Sequence, residues 1–335
     1  MRDFYFSHLV TIIGLILAYY WAGIDGLFIA TILVVMEISL SFDNAVVNAT
    51  ILKTMSIKWQ KRFMTWGILI AVFGMRLLFP VVLVAFATGL SMWEVAQLAF
   101  ANPHEYSRHV LASNVQISAF GGMFLLMVFL HFIFDESKEV HWIKFLERKL
   151  SAAGKLEAIE VIFALSTLLI LQAVLPTEAK LTALVSGLIG VVLYVVINGV
   201  MTLFSSNEKS AHGATKTIAC SGLVGFLYLE LLDISFSLDG VIGAFAISKD
   251  VVIIMLGLGI GAMFVRSLTV FLVRKGALDE YVYLEHGAHY GIGALAVIML
   301  ISTMSHVSEI ITGLVGVGCI ALSLWSSVIY KRKNK

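Results

Sequence analysis

Long uninterrupted apolar runs, separated by short polar stretches, dominate the pattern of this chain. An α-helix needs roughly 17 to 25 mainly apolar residues to cross a bilayer. The pattern predicts ten such segments, over residues 5–22, 26–52, 63–90, 115–134, 157–175, 180–204, 219–247, 250–273, 288–304 and 307–330. The second and seventh segments exceed a straight crossing, so we expect them to be tilted or broken. The first segment lacks a clear cleavage site and is expected to be a retained helix.

Composition supports a chain that crosses the membrane several times. Hydrophobic residues make up 59% of the 335 residues and charged residues 13%, with a mean hydropathy of +0.95. Soluble domains usually contain about 25% charged residues. The net charge of +1 offers no basic face for nucleic acid. Cys220 and Cys319 lie far apart in apolar stretches, which argues against a disulfide framework or a thiolate metal site. The predicted fold class is therefore an all-α polytopic membrane protein.

The Lys and Arg residues between the segments predict an orientation. With the N-terminus in the cytoplasm, 18 of the 23 Lys and Arg residues fall on the cytoplasmic side and 3 fall outside. Cytoplasmic loops carry an excess of Lys and Arg, so this split favours ten segments in the cell (inner) membrane with both termini cytoplasmic.

A charged cytoplasmic linker spans residues 135–156. Its apolar residues recur at helical spacing, which predicts an amphipathic interfacial helix.

Two matching acidic strings lie inside the second and seventh segments. The first reads Glu-Ile-Ser-Leu-Ser-Phe-Asp-Asn and ends at Asn44, and the second reads Asp-Ile-Ser-Phe-Ser-Leu-Asp-Gly and ends at Gly240. Both share the order acid, aliphatic residue, Ser, apolar residue, Ser, apolar residue, Asp. The likeliest origin of this match is one unit that occurs twice in the chain.

Two arginines extend this match beyond the strings. Arg76 lies in the third segment and Arg266 in the eighth, so segments one to five correspond in order to segments six to ten. Because five is an odd number, the two halves face opposite ways across the membrane. The sequence therefore predicts two inverted five-helix repeats, over residues 1–175 and 176–335. Transporters with this layout place their binding sites near the bilayer midplane.

The polar groups of the strings form the candidate ion site. A charged side chain at the bilayer centre costs about 3 kcal/mol even on the lowest scale, so four deep carboxylates require a function or a partner. The candidate metal ligands are Glu37, Asp43, Asn44, Asp233 and Asp239, with Ser41 and Ser237 as secondary polar candidates. Arg76 and Arg266 are candidates for ion pairing with these acids or for gating.

The chemistry of these donors favours a particular class of ion. Carboxylate, hydroxyl, amide and carbonyl oxygens without clustered Cys or His suit Mg²⁺, Ca²⁺ or Mn²⁺ better than Cu⁺ or Zn²⁺. Glu37 and Asp43 cannot both aim at one ion from a regular helix, so either the backbone unwinds or an adjacent helix closes the gap. Asn44 and Gly240 permit such a break, which would free backbone carbonyl oxygens as further ligands. Glycines at 257, 259 and 261 are expected to mediate close helix contact.

The doubled string resembles the TerC family of integral membrane proteins, which is named for tellurite resistance. The resemblance covers most of the chain, and Arg76 and Arg266 are in keeping with it. It implies a cation exporter related to the wider lysine-exporter group, with manganese efflux as its role. It also implies two half-sites, one of Glu37, Asp43 and Asn44 and the other of Asp233 and Asp239. This chain departs from familiar members in its longer loops and its charged linker.

The sequence thus predicts a secondary transporter rather than an enzyme, with no cofactor. Its expected partners are the exported divalent cation, with Mn²⁺ preferred, and membrane lipid, and proton antiport is the expected coupling. One alternative is an exporter of small organic cations, for which Phe42 and Phe236 offer aromatic contacts. Another is a non-transporting membrane component of a tellurite or metal stress-response complex. An intramembrane hydrolase is disfavoured because the sequence lacks a Gly-x-Gly-Asp or His-Glu-x-x-His string.

Overall fold

The computed structural model describes residues 4–156, 158–205, 222–305 and 307–333, and Cys220 lies outside them. Within these ranges the chain is helical and contains no β-strand. The N-terminal half contains α1 (Tyr5–Leu40), α2 (Phe42–Thr54), α3 (Ile57–Leu69), a π-helix (Ile70–Leu78), α4 (Phe79–Thr88), α5 (Met92–Ala101), α6 (Pro103–Ala112), α7 (Asn114–Phe134), α8 (Lys144–Ala153) and α9 (Ile159–Val174). The C-terminal half contains α10 (Thr177–Ser205), α11 (Gly222–Ile247), α12 (Val251–Lys275), α13 (Ala277–Glu280), α14 (Leu284–Ser302) and α15 (Glu309–Lys333).

Six of the described helices are long and apolar enough to cross a membrane, judged by length and composition: α1, α7, α10, α12, α14 and α15. Helix α9 is also apolar but has only 16 residues. Many large apolar side chains on α1, α9, α10 and α15 are exposed, as expected for helices that face lipid. The chain is therefore an all-α membrane protein.

Breaks in the helices follow the boundaries of several predicted segments. Helix α1 has non-helical backbone angles at Ala22 and Gly23, and Gly23 has a φ of 66°, which glycine adopts without steric cost. The first two predicted segments meet at this kink. The predicted third segment comprises α3, the π-helix and α4. The linker contains the expected helix as α8, which begins at Lys144. Helices α5 and α6 were not expected.

Helices from the two halves pack closely against each other. Helix α7 is largely buried and lies between α10 and α14, while α1 lies along α12. A Cβ atom placed on Gly257 would lie 2.6 Å from the Leu33 side chain, and one on Gly261 would lie 2.5 Å from the Glu37 side chain. The expected close contact at these two glycines is confirmed. It brings the acidic end of α1 against α12.

Candidate functional site

The carboxylate of Glu37 lies where four helical elements meet. Glu37 occupies the last turn of α1 and is 2% exposed. One oxygen, Oε1, accepts from the Arg76 guanidinium on the π-helix and from the Ser41 hydroxyl, which is 3.3 Å away. A Cβ atom on Gly240 of α11 would lie 3.0 Å from Oε2. Glycine at this position therefore lets α11 approach the carboxylate.

The second string has a corresponding ion pair. Asp233 on α11 is buried, and its Oδ2 atom accepts a hydrogen bond from Arg266 Nη2 over 2.9 Å. Arg76 and Arg266 thus each pair with the first acid of the string in their own half. Removing one partner of a buried ion pair is costly because it leaves an uncompensated charge.

Glu230 is a further member of this ion-pair cluster. It lies one turn before Asp233 and pairs with Arg266 over 3.1 Å. The sequence pattern placed it near a segment end, so it was not among the candidate ligands. The Arg266 guanidinium also donates to the Phe63 carbonyl over 3.2 Å and lies 4.3 Å from the centre of the Phe63 ring. These contacts fix Arg266 between α3, α11 and α12.

The two strings meet through an amide. Asn44 Nδ2 on α2 donates a hydrogen bond to Asp233 Oδ1 over 2.9 Å. Asn44 and Asn48 are each 1% exposed, and their Oδ1 atoms accept no hydrogen bond within the described part of the chain. Buried acceptors are usually satisfied, so two adjacent unsatisfied amide oxygens on one helix face require an explanation. A cation is one partner that such oxygens accept.

The remaining acids of the strings are Asp43 and Asp239. Asp43 is 3% exposed, and its Oδ1 atom accepts the backbone N–H of Asn44 over 2.9 Å. Its Oδ2 atom faces α14 and α15, where Cβ atoms on Gly291 and Gly316 would lie 3.1 and 3.5 Å away. Asp239 is half-buried on α11, and Ser237 is buried beside it. Over the residues that the structure describes, no three His, Cys, Asp or Glu side chains are grouped closely enough to hold a metal ion.

Of the two ways to bring the acids of a string together, unwinding is not seen at the residues that permit it. The first string is interrupted at Ser41 rather than at Asn44, and helical hydrogen bonds persist on both sides, from Ser41 N to the Glu37 carbonyl and from Ala45 N to the Ser41 carbonyl. Helix α11 continues through Gly240 without a break. Gly240 instead gives room for Glu37. Backbone carbonyls freed at Gly240 are therefore not available as ligands.

The charges of this region are unequal. Five acids and two arginines lie on or beside the strings: Glu37, Asp43, Glu230, Asp233, Asp239, Arg76 and Arg266. With all of them ionised, the acids exceed the arginines by three charges. Such an excess in a low-dielectric interior attracts cations and repels anions.

One comparison with known proteins gives a match. The family model described as "Protein of unknown function (DUF475)" matches residues 42–334. This range includes Asp43, Asn44, both arginines and the second string, while Glu37 precedes it. The comparisons with curated proteins and with solved structures gave no match.

Proposed function

The chain belongs to the DUF475 family, and we propose that it is a secondary transporter that exports a divalent metal cation, with Mn²⁺ as the preferred ion. The observation that carries this proposal is the hydrogen bond from Asn44 to Asp233, which joins the two acidic strings in the interior of a membrane protein. Buried carboxylates within membrane segments commonly mark ion pathways. A site built from both strings is able to change its access when the two halves move against each other.

Helix packing supports the inverted repeats on which this proposal depends. The contact of α2 with α14 has a counterpart in that of α11 with α7, because each partner lies five predicted segments further along or back. The ion pairs of Arg76 with Glu37 and of Arg266 with Asp233 follow the same relation. We propose ten membrane crossings in two repeats, with both termini in the cytoplasm of the cell (inner) membrane.

The available donors support the choice of Mn²⁺. They are carboxylate oxygens and the buried amide oxygens of Asn44 and Asn48. Mn²⁺ accepts such oxygen ligands, whereas Mg²⁺ gives up its waters reluctantly and Zn²⁺ ordinarily recruits His or Cys. In this proposal Glu37, Asp43, Asn44, Asp233 and Asp239 supply the ligands as the cation passes, in line with the resemblance of the strings to the TerC family.

In this mechanism the two arginines compete with the cation for the carboxylates. An entering cation competes with Arg76 for Glu37 and with Arg266 for Asp233, because each of these carboxylates already forms an ion pair with a guanidinium. Displacing the guanidinium changes the contact between neighbouring helices and so couples ion binding to movement of the halves. Protonation of the carboxylates from the outer side would then release the ion, which gives cation/proton antiport.

Metal flux in proteoliposomes tests this function. We expect Mn²⁺ flux with the native chain, and a decrease of about tenfold or more in Asp43→Asn and Asp239→Asn, equivalent to about 1.4 kcal/mol in the barrier. Ser166→Ala is a matched control, because this exposed hydroxyl donates only to the Ile162 carbonyl of its own helix. Absence of metal flux with the native chain would overturn transport of divalent cations. Flux of small organic cations instead would favour the alternative exporter.

Undiminished flux in both acid variants would overturn the shared site while leaving transport in place.

The aromatic residues of the strings give the organic-cation alternative no added support. Phe236 is part of the main hydrophobic core, and Phe42 packs against that core. Their rings therefore contribute to helix packing.

A further inference from the structure

A cavity of about 560 Å³ lies at one end of the helix bundle, between α2, α7, α10, α11, α13 and α14. This volume lies within the range of about 300 to 1,000 Å³ that is typical of small-ligand sites. Its lining is strongly polar for the interior of a membrane protein. The polar lining residues are Thr50, Lys53, Thr54, His131, Asp135, Ser137, Asn198, Tyr228, Asp279, Glu285 and His289.

The cavity extends from an exposed rim to a buried floor. At the rim, Lys53 pairs with Asp279 over 2.5 Å, and these side chains are 44% and 67% exposed. At the floor, Val47 and Val128 are 2% and 4% exposed. Val47 lies one helical turn after Asp43 on α2, which corresponds to about 6 Å along the helix axis. The cavity thus ends one turn short of the acidic site.

The end of the cavity beside Val47 adjoins a buried polar group that lacks a partner. Asn48 directly follows Val47, and its Oδ1 atom is among the buried oxygens without a hydrogen bond in the described ranges. The rim, in turn, includes Asp135 and Ser137 of the charged linker. The linker is predicted to be cytoplasmic, so the cavity opens toward the side from which an exporter takes its substrate.

The charges of the lining favour cations. Asp135, Asp279 and Glu285 oppose a single lysine, Lys53, so the lining carries two net negative charges when its histidines are neutral. Clefts lined by one sign of charge concentrate ions of the opposite sign. The donors are spread around the wall, and no close group of three acidic, His or Cys side chains occurs in the described chain. This spacing suits an ion that keeps its water shell.

We propose that this cavity is an entry vestibule that holds a hydrated divalent cation before it passes Val47 and reaches Asp43 and Asn48. The direction of entry rests on the proposed export function. Lys53 and Asp279 form the outer rim, and Glu285 on α14 is a further acidic group of the lining. The ion exchanges its waters for protein oxygens only beyond the floor, where the acids of the strings begin.

Cysteine labelling tests the vestibule without measuring transport. Thr50→Cys and Asn198→Cys are made in the full chain after Cys220 and Cys319 are replaced by Ser, and are exposed to a charged, membrane-impermeant thiol reagent. We expect both to react from the side on which the linker lies. Ser166→Cys on the lipid-facing side of α9 is the control and should not react. Mn²⁺ at roughly ten times its Kd should slow labelling at Thr50→Cys about tenfold, because it occupies most sites.

The outcomes separate the vestibule from the transport proposal. Labelling of both cysteines with protection by Mn²⁺ supports the vestibule even if proteoliposomes show no flux. Labelling without protection, or no labelling while Asp279→Cys at the rim reacts, overturns it whether or not metal is transported. Protection by choline but not by Mn²⁺ overturns the assignment to a divalent cation.

A kinetic experiment gives a second readout where flux is measurable. Glu285→Gln removes one negative charge inside the vestibule, so we expect the KM for Mn²⁺ to rise about threefold to tenfold with little change in the maximal rate, since such charges act on encounter with the ion. Glu178→Gln is the matched control at the start of α10, remote from Asn198 near the end of that helix. An unchanged KM in Glu285→Gln would overturn the electrostatic role of the vestibule.

Discussion

Asn44 and Asp233 are 189 positions apart in the chain, and the amide of Asn44 donates a 2.9 Å hydrogen bond to the carboxylate of Asp233. The other oxygen of that carboxylate accepts from Arg266 over 2.9 Å. Asp233 is therefore shared between the first string and the arginine of the second half. This side chain is one of the contacts through which a change in one half can reach the other.

Removal of the amide tests this coupling. Asn44→Ala should cost about 1 to 3 kcal/mol of stability, because a buried carboxylate oxygen loses its donor. We also expect Mn²⁺ flux to fall about tenfold or more. Thermal unfolding in detergent and flux in proteoliposomes measure the two effects. Ser39→Ala is the control within the same string, since Ser39 donates to the Val35 carbonyl one turn earlier. Equal behaviour of the two variants would contradict the role of Asn44.

The ion pair of Glu37 with Arg76 allows a charge-neutral test. Arg76→Gln or Glu37→Gln alone should lower stability by about 3 to 5 kcal/mol, because each breaks a buried ion pair. The double variant removes both charges and should regain most of that loss, while transport stays absent. Unfolding midpoints of the four proteins give the coupling energy. Additive losses in the double variant would show that the two side chains act independently.

Gly67 on α3 leaves room for the ion pair of Arg266 with Glu230. A Cβ atom there would lie 2.2 Å from Arg266 Nη1 and 2.6 Å from Glu230 Oε1. Gly67→Ala should therefore displace the guanidinium and lower both the unfolding temperature and the flux. Gly199→Ala is the matched control, because nothing lies within 4 Å of a Cβ atom at that helical position. It should be neutral or slightly stabilising, since Ala favours helix more than Gly.

Sequence reasoning made both arginines candidates for ion pairing or for gating, because charges inside apolar segments require partners. The structure pairs Glu37 with Arg76 and Asp233 with Arg266, and the sequence pattern did not specify which acid each arginine contacts. Glu230 was missed because it lay near an estimated segment end. Its spacing of three residues from Asp233 places both on one helix face, and this signal could have found it.

Tertiary packing accounts for what the sequence could not predict. Gly240 permits a backbone break, yet α11 stays regular there, and the absence of a side chain makes room for Glu37 instead. The vestibule is lined by residues of six helices that come from both halves of the chain, so no local pattern indicates it. Helices α5 and α6 lie between the third and fourth predicted segments, where the apolar pattern indicates a loop. Their caps at Ser91 and Asn102 are the sequence signals that mark them.

Accessible tags test the predicted topology. A reporter after residue 335 and a tag within residues 135–156 should both be cytoplasmic, and a tag near Ala101 should be reachable from outside. These expectations follow from the concentration of Lys and Arg in the predicted cytoplasmic stretches. Protease protection in right-side-out vesicles measures all three positions. An external linker would contradict the inverted arrangement of the halves.

Glu147 fastens the charged linker to the bundle. Its side chain is fully buried and accepts hydrogen bonds from the backbone N–H groups of Trp142 and Ile143, at 3.1 and 3.0 Å, and from the Tyr290 hydroxyl, at 3.1 Å. His286 of α14 lies 3.4 Å away and Lys138 4.0 Å away. Burial raises the pKa of Glu147, but the hydrogen bonds from His286 and Ile143 and the nearby positive charges outweigh it and lower the pKa to about 2.

Because the folded pKa of Glu147 lies below its ordinary value of 4.5, the charged carboxylate stabilises the docked linker above about pH 4.5, and this contribution is lost as the pH falls toward 2. Glu147→Gln should remove it at neutral pH, so trypsin should cut the α8 region faster than in the native chain. Glu139→Gln, at an exposed position of the same linker, should leave the rate unchanged. Pepsin cleavage between pH 4.5 and 2 should accelerate in the native linker and vary less in Glu147→Gln. The same acid dependence in both proteins would assign the release to other groups, and an unchanged trypsin rate would show that α8 is held by its apolar contacts instead.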